Sequence, residues 1–212
     1  MAESSRIVWG IGSGRAFRVH WALIELGLEY ETVPIQTRTP AMETPTFLQV
    51  NPRKKIPVFR DGDVQLTESS AIVTYLAERY SHDGCRLIPE AVAERGLYFE
   101  WFSFVAMELD ATSLYVLRRH EGLPHIYGEA PTACTSTREY FDRMINSAAL
   151  RLEDQRPFLL GDSFSGVDIL MTSCLDWAIN YECALPAAWA AYRDRIVTRP
   201  GYTAAVEANT PT

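Results

Sequence analysis

Between positions 51 and 72 the chain reads NPRKKIPVFRDGDVQLTESSAI. Two short apolar runs, 57–60 and 64–66, flank Asp61-Gly62-Asp63, a pattern that predicts a tight hairpin with Pro57 at its head. Thr67-Glu68-Ser69-Ser70 then supplies helix-start residues, and the pattern that follows predicts a helix over 69–80. Lys54 and Lys55, the only lysines in the chain, stand side by side just before the proline. Folding of this stretch gathers basic side chains, main-chain polar groups and a helix N-terminus. That combination suits a small anionic or zwitterionic ligand such as a peptide.

Upstream, strand and helix alternate. Residues 6–10 read as a buried strand. Residues 14–26 read as a helix with Phe17, Trp21, Ala22 and Leu26 among its apolar positions. Gly27 is placed to cap that helix and Leu28 to pack back on it. Residues 30–35 alternate as a strand, and the proline-rich stretch 37–50 reads as a loop with a short helix at 46–50. The order is β-α-β followed by β-β-α.

After Tyr80 the texture changes. Ser81-His82-Asp83-Gly84 reads as a linker, and everything beyond it is helical: about 91–119, rich in aromatics, about 135–155, a start at 164–169, then 187–197 and 202–207. At the third of these, Ser165 and Asp168 have capping-box spacing, with Phe164 and Ile169 at the staple positions. The resulting division is 1–81, a linker at 82–89, and a helical domain at 90–212.

The chain has 212 residues, enough for two modest domains. Its charge is uneven. Residues 1–80 hold nine basic and nine acidic side chains, and the rest hold eleven basic and eighteen acidic. An acidic, lysine-poor second half argues against nucleic acid and anionic membranes as partners. No apolar run is long enough to span a bilayer, and the N-terminus lacks the pattern of a secretion signal. Cys85, Cys134, Cys174 and Cys183 are scattered without paired or metal-binding spacing, which suits reduced thiols in a cytoplasmic protein. His20, His82, His120 and His125 are isolated, so no metal site is expected. Gly10-Ile11-Gly12 falls short of a dinucleotide motif, because Arg15 stands where the third glycine belongs.

In SGRAFRVHWALIELGLEYE, NPRKKIPVF, LTESSAIVTYLAERY and SGVDIL with RPGY beyond it, the chain resembles the cytosolic glutathione transferases. Ser13-Gly14-Arg15-Ala16-Phe17-Arg18-Val19 and the phrase YETVPI are most similar to serine-type members, zeta-like or related bacterial ones. The resemblance implies a thioredoxin-like α/β domain followed by an all-α helical bundle. It also implies glutathione as co-substrate, a small electrophile as second substrate, a homodimer and a role in detoxification.

It assigns roles by position. Ser13 would donate its hydroxyl to the glutathione sulfur, although a serine between strand and helix also serves as a plain cap. Pro57 would be cis and would turn the polar groups of Ile56 toward the cysteinyl part of the ligand; otherwise it is an ordinary trans proline at a sheet edge. Ser69 would bind the γ-glutamyl carboxylate and Glu68 the γ-glutamyl ammonium; otherwise the stretch is a plain capping pair, Thr67 or Ser69 with an acid in the first turn. Lys55 would contact the glycine end. Lys54 replaces the more usual glycine, and Arg15 could support the thiolate. Either lysine could equally be solvated. Tyr115, with Phe104, Met107 and Glu108, would face the electrophile or form core.

The absence of a cysteine near Ser13 disfavours thiol–disulfide chemistry. The serine-serine-cysteine run of zeta-type isomerases is not reproduced, since Gly14 and Arg15 follow Ser13. The expected activity is conjugation of the glutathione thiolate to an electrophile. The alternatives are isomerisation or dehalogenation at the same site, and a glutathione-binding or scaffold protein without catalysis.

Overall fold

The structure is a computed structural model and describes residues 6–152 and 156–211. Its contacts group into two compact units, Met1–Ile88 with Thr198–Thr212, and Pro89–Val197.

The first unit is built on a four-stranded sheet in the order β2-β1-β3-β4. Strand β1 (Arg6–Trp9) pairs in parallel with β2 (Glu31–Val33) and antiparallel with β3 (Val58–Asp61), which pairs antiparallel with β4 (Val64–Leu66). Between the strands lie α1 (Gly14–Glu25), a 3₁₀ turn (Pro40–Glu43) and α2 (Pro45–Val50), and after them α3 (Ser69–Tyr80). The element order is the β-α-β, β-β-α expected, and the topology is the thioredoxin-like one that the resemblance implied.

Side-chain alternation gives the sheet two apolar faces. Ile7, Trp9 and Val58 join Ile35, Met42, Phe47 and Ile56 in one cluster, with Val33 and Val50 against it. Val8, between Ile7 and Trp9, and Phe59, next to Val58, are fully buried, and the Phe59 ring lies 6.2 Å from that of Tyr75 on α3. Helix α1 closes as its sequence predicts. Gly27 takes φ +65° and donates to the Ile24 carbonyl, while the Leu28 amide reaches back to the Leu23 carbonyl.

The expected helical domain ran to the end of the chain, but α10 (Pro200–Asn209) belongs to the first unit. It packs on α1: the Tyr202 ring meets Phe17 and Trp21 edge-on, and Arg199 forms a two-pronged ion pair with Glu25 at 2.9 and 2.7 Å. The helix starts at Pro200, two residues before the expected 202, because proline suits a first helical position.

Among the described residues, the named elements of the second unit are all helical. Helix α4 (Val92–Ser103) continues as a π-helical stretch (Phe104–Leu114), a single α-turn α5 (Tyr115–Leu117) and a second π segment (Arg118–Gly122). The expected helix over 91–119 is therefore one rod with two gauges. In its wide part the Ser113 hydroxyl donates to the Glu108 carbonyl five residues back, at 2.6 Å. Then come α6 (Pro124–Tyr127), α7 (Pro131–Ala149), α8 (Gly166–Asn180) and α9 (Ala187–Ile196). Helix α7 begins four residues before the expected 135, again with a proline in its first turn, and ends in a 3₁₀ turn at Leu150–Leu152. The expected end at Gln155 lies outside the described residues.

Helix α8 is the core of this unit, buried continuously from Gly166 to Leu175. Its start carries the capping box read from the sequence. Asp168 accepts from the Ser165 amide at 2.8 Å and hydroxyl at 2.7 Å, from the Leu159 amide at 2.8 Å and from the Tyr192 hydroxyl at 2.6 Å. Burial pushes its carboxyl upward in pKa, and these four donors oppose that shift. Among the described residues, no helix is long and apolar enough to cross a membrane. Cys85, Cys134, Cys174 and Cys183 are free thiols.

Candidate functional site

The sequence-predicted residues of the first unit converge on the loop joining β1 to α1. Gly10 leaves the sheet with φ +130°, and its position admits no side chain: a Cβ there would lie 2.8 Å from Ile56 Cβ. The Ile56-Pro57 peptide bond is cis, as the resemblance implied. The Gly10 and Ile11 amides donate to the Val33 and Ile35 carbonyls at 3.0 and 2.9 Å, extending the β1–β2 ladder past the strand ends. His20, fully buried on α1, places Nε2 3.0 Å from the Gly10 carbonyl and Nδ1 2.9 Å from the Tyr30 hydroxyl. A neutral ring that donates at Nε2 and accepts at Nδ1 satisfies both partners. Desolvation, the main cause, pushes the His20 pKa down, with the Gly10 hydrogen bond opposing it. The loop is thus held from three sides: β2, Ile56 and the inner face of α1.

This loop delivers Ser13 as the N-cap of α1. Ser13 is half-buried, in extended backbone geometry, with its Oγ accepting the Ala16 amide at 3.1 Å. A hydroxyl that accepts one hydrogen bond still holds a proton to donate. The first turn of α1 contains no acidic residue, so no anion of the helix itself offsets the partial positive charge of the helix end.

Helix α3 presents a second N-terminus. Glu68 is its N-cap residue and makes no side-chain cap, and no acid stands in its first turn. Ser69 is buried, and its Oγ receives the Arg18 guanidinium at 3.4 Å. Arg18 itself is only 3% exposed, on the part of α1 that packs against α3. This arginine was missed from sequence, where it reads as one more basic residue of SGRAFRVHW.

The basic segment ahead of Pro57 is already largely paired. Arg53 Nη1 lies 3.2 Å from Glu68 Oε1, and its other terminal nitrogen contacts the Thr67 hydroxyl. Both ends of the Arg53–Glu68 pair are exposed, so the pair adds little stability. Lys54 adopts φ +51°, the left-handed conformation that explains why glycine is usual at this position, and its ammonium pairs with Glu43. Lys55 is exposed, and its carbonyl accepts the Asn51 side-chain amide at 2.8 Å. Arg15 is half-buried in the first turn of α1. Tyr115 begins α5 in the second unit, half-buried, with the Arg118 guanidinium 5.7 Å from its ring.

Taken together, the first unit offers a hydroxyl at one helix N-terminus, a cis-proline corner against the same loop, and a serine at a second helix N-terminus backed by a buried arginine. That set can hold a thiol, a stretch of peptide main chain and a carboxylate.

Comparison with known proteins gives the same direction. The family model described as "Glutathione S-transferase, N-terminal domain" matches residues 4–78. The chain is 29% identical over 179 residues to glutathione S-transferase F14 of Arabidopsis thaliana, covering 82% of this chain and 66% of that protein, just under two thirds of its length. It is 26% identical over 207 residues to a glutathione S-transferase of Hyoscyamus muticus, covering 92% of this chain and 94% of that one. Among solved structures, the theta class glutathione S-transferase of Xanthomonas axonopodis pv. citri with glutathione bound superposes with a TM-score of 0.82. Its sequence is 24% identical, with 96% of this chain and 97% of that one covered. At that identity the likeness speaks for the fold.

Proposed function

The chain belongs to the glutathione S-transferase family, and from that premise we propose that it binds glutathione on its first unit and adds the glutathione thiolate to a small electrophile. The observation that carries this reading is the placement of Ser13. Its hydroxyl sits at the positive end of α1, on a loop held directly against the cis Ile56-Pro57 corner.

A free thiol near pKa 8.5 is mostly protonated at neutral pH, and the thiolate is the nucleophile. The thiol proton leaves to solvent, and Ser13 donates a hydrogen bond to the resulting thiolate while its lone pair keeps the Ala16 amide capped; the α1 N-terminus favours the anion. The sulfur then attacks an electrophilic carbon and the leaving group departs with its electron pair, a step that needs little acid–base assistance beyond thiolate formation.

The tripeptide is oriented by its other groups. The main chain of Ile56 pairs with the cysteinyl unit. Ser69 and the α3 N-terminus hold the γ-glutamyl carboxylate. Glu68 takes the γ-glutamyl ammonium, sharing its carboxylate with Arg53. Lys55 meets the glycine carboxylate, and Arg15, two residues after Ser13 in the first turn of α1, supports the thiolate. Lys54 is a weaker candidate here, since Glu43 already holds its ammonium. Tyr115 is the proposed contact to the electrophile. The protein is proposed to act as a homodimer in the cytoplasm, in detoxification.

Calorimetric titration with glutathione, paired with a conjugation assay on a chloronitrobenzene, tests the reading. Saturable binding with turnover supports it. Binding without turnover assigns the chain to the glutathione-binding class, and absence of both contradicts the assignment.

A further inference from the structure

We propose that Arg18 is a positioning residue of the carboxylate subsite: its guanidinium, buried between α1 and α3, supplies the positive charge that makes the Ser69 end of the site select an α-carboxylate. The inference rests on the placement of the γ-glutamyl group at Ser69.

Three observations converge on it. Arg18 is 3% exposed, yet it lies on a helix surface where an apolar side chain would fill the same space. Its Nη1 reaches the Ser69 hydroxyl oxygen at 3.4 Å and can only donate there, since a guanidinium accepts nothing. The Ser69 hydroxyl thus keeps its own proton to give to an acceptor. The N-terminus of α3 supplies no anion of its own, because its first turn holds no acidic residue and Glu68 forms no side-chain cap.

An anion that accepts from the Ser69 hydroxyl comes within roughly 6 Å of the Arg18 guanidinium, given ordinary hydrogen-bond lengths. At that separation in a partly buried site, an opposite charge contributes about as much as one hydrogen bond to an ionised group. Arg18 thus acts through Ser69: it fixes the rotamer of the hydroxyl and places a cation behind it. A brace between two helices is the plainer role for such a residue. The two roles separate once the ligand's carboxylate is varied.

The test compares glutathione with its analogue lacking only the α-carboxylate of the γ-glutamyl residue, 4-aminobutyryl-cysteinyl-glycine, by calorimetry on the full chain. The wild type is expected to bind glutathione about a hundredfold more tightly than the analogue. Arg18→Gln is expected to reduce that ratio about tenfold while leaving affinity for the analogue unchanged, and Arg18→Lys to keep most of it. Ser69→Ala is expected to retain a ratio of about ten, because the buried charge remains.

A ratio in Arg18→Gln equal to that of the wild type overturns the inference and leaves Arg18 a brace. If Arg18→Gln does not fold, the Ser69→Ala ratio decides: a value near one overturns the inference, and a retained preference supports it. A wild-type ratio near one overturns instead the placement of the carboxylate at Ser69, and the role of Arg18 with it.

Discussion

The Ser13 hydroxyl oxygen accepts the Ala16 amide at 3.1 Å, so helix α1 takes a lone pair from this side chain and leaves its proton to give. The two uses separate on mutation. Ser13→Ala removes both a cap, worth about 1 kcal/mol, and the proposed donor to the sulfur. A two-unit rise in thiol pKa corresponds to about 2.7 kcal/mol. Conjugation at pH 7 is expected to fall by about 25-fold, with glutathione affinity nearly unchanged and the melting temperature lowered by a few degrees. Steady-state kinetics, calorimetry and thermal melts on the same preparation check all three.

Gly10 tests how tightly the loop is built. An alanine there meets Ile56 Cβ at 2.8 Å and must hold φ +130°, a region that side chains avoid. Gly10→Ala is expected to cost about 2 kcal/mol or more in chemical denaturation, and to weaken glutathione binding, because relief of the contact moves either Ser13 or the Ile56-Pro57 corner. Gly14→Ala is the control, since a Cβ there meets nothing within 4 Å.

His20 gives the first unit a pH dependence of known sign. Its folded pKa lies below the ordinary 6.5, so the unfolded chain binds the proton more readily. Stability is fully present above about pH 6.5 and declines as the pH falls through the window between the unfolded and folded values. Denaturation midpoints measured from pH 8 to 5 are expected to fall below about 6.5 in the wild type, and to fall less in His20→Gln. Equal slopes for the two proteins would remove His20 from this role.

Asp168 anchors the second unit with four donors on one buried carboxylate. Asp168→Asn keeps the shape but turns an amide NH₂ toward groups that donate. The expected loss is about 3 kcal/mol, a drop of several degrees in melting temperature, with the proposed glutathione-binding residues of the first unit untouched. A melting temperature within one degree of the wild type would show that the network contributes nothing.

Much of this arrangement could be read from local chemistry. Gly27 announced the end of α1, the Ser165–Asp168 spacing announced the start of α8, and the proline-headed hairpin after Lys55 led to the α3 N-terminus, while the cis bond before Pro57 was implied by the family resemblance alone. Arg18 and the position of α10 could not be read, for one shared reason. Helix α1 is buried continuously from Ala16 to Leu23, with α3 and α10 both packed on it. Periodicity marks one apolar stripe, on Phe17 and Trp21, and gives no sign that a second surface of the helix is covered as well. The covering element starts near position 200, too far along the chain for a local pattern to report it. The left-handed backbone of Lys54 and the π gauge of Phe104–Leu114 are set by tertiary context in the same way.

The thiol pKa of glutathione bound to the protein, followed by thiolate ultraviolet absorbance across a pH titration, tests the role proposed for Ser13 most directly. The expected value in the wild type is about two units below the free thiol's 8.5, returning close to 8.5 in Ser13→Ala. Identical titration curves for wild type and Ser13→Ala, with glutathione saturating both, would contradict it.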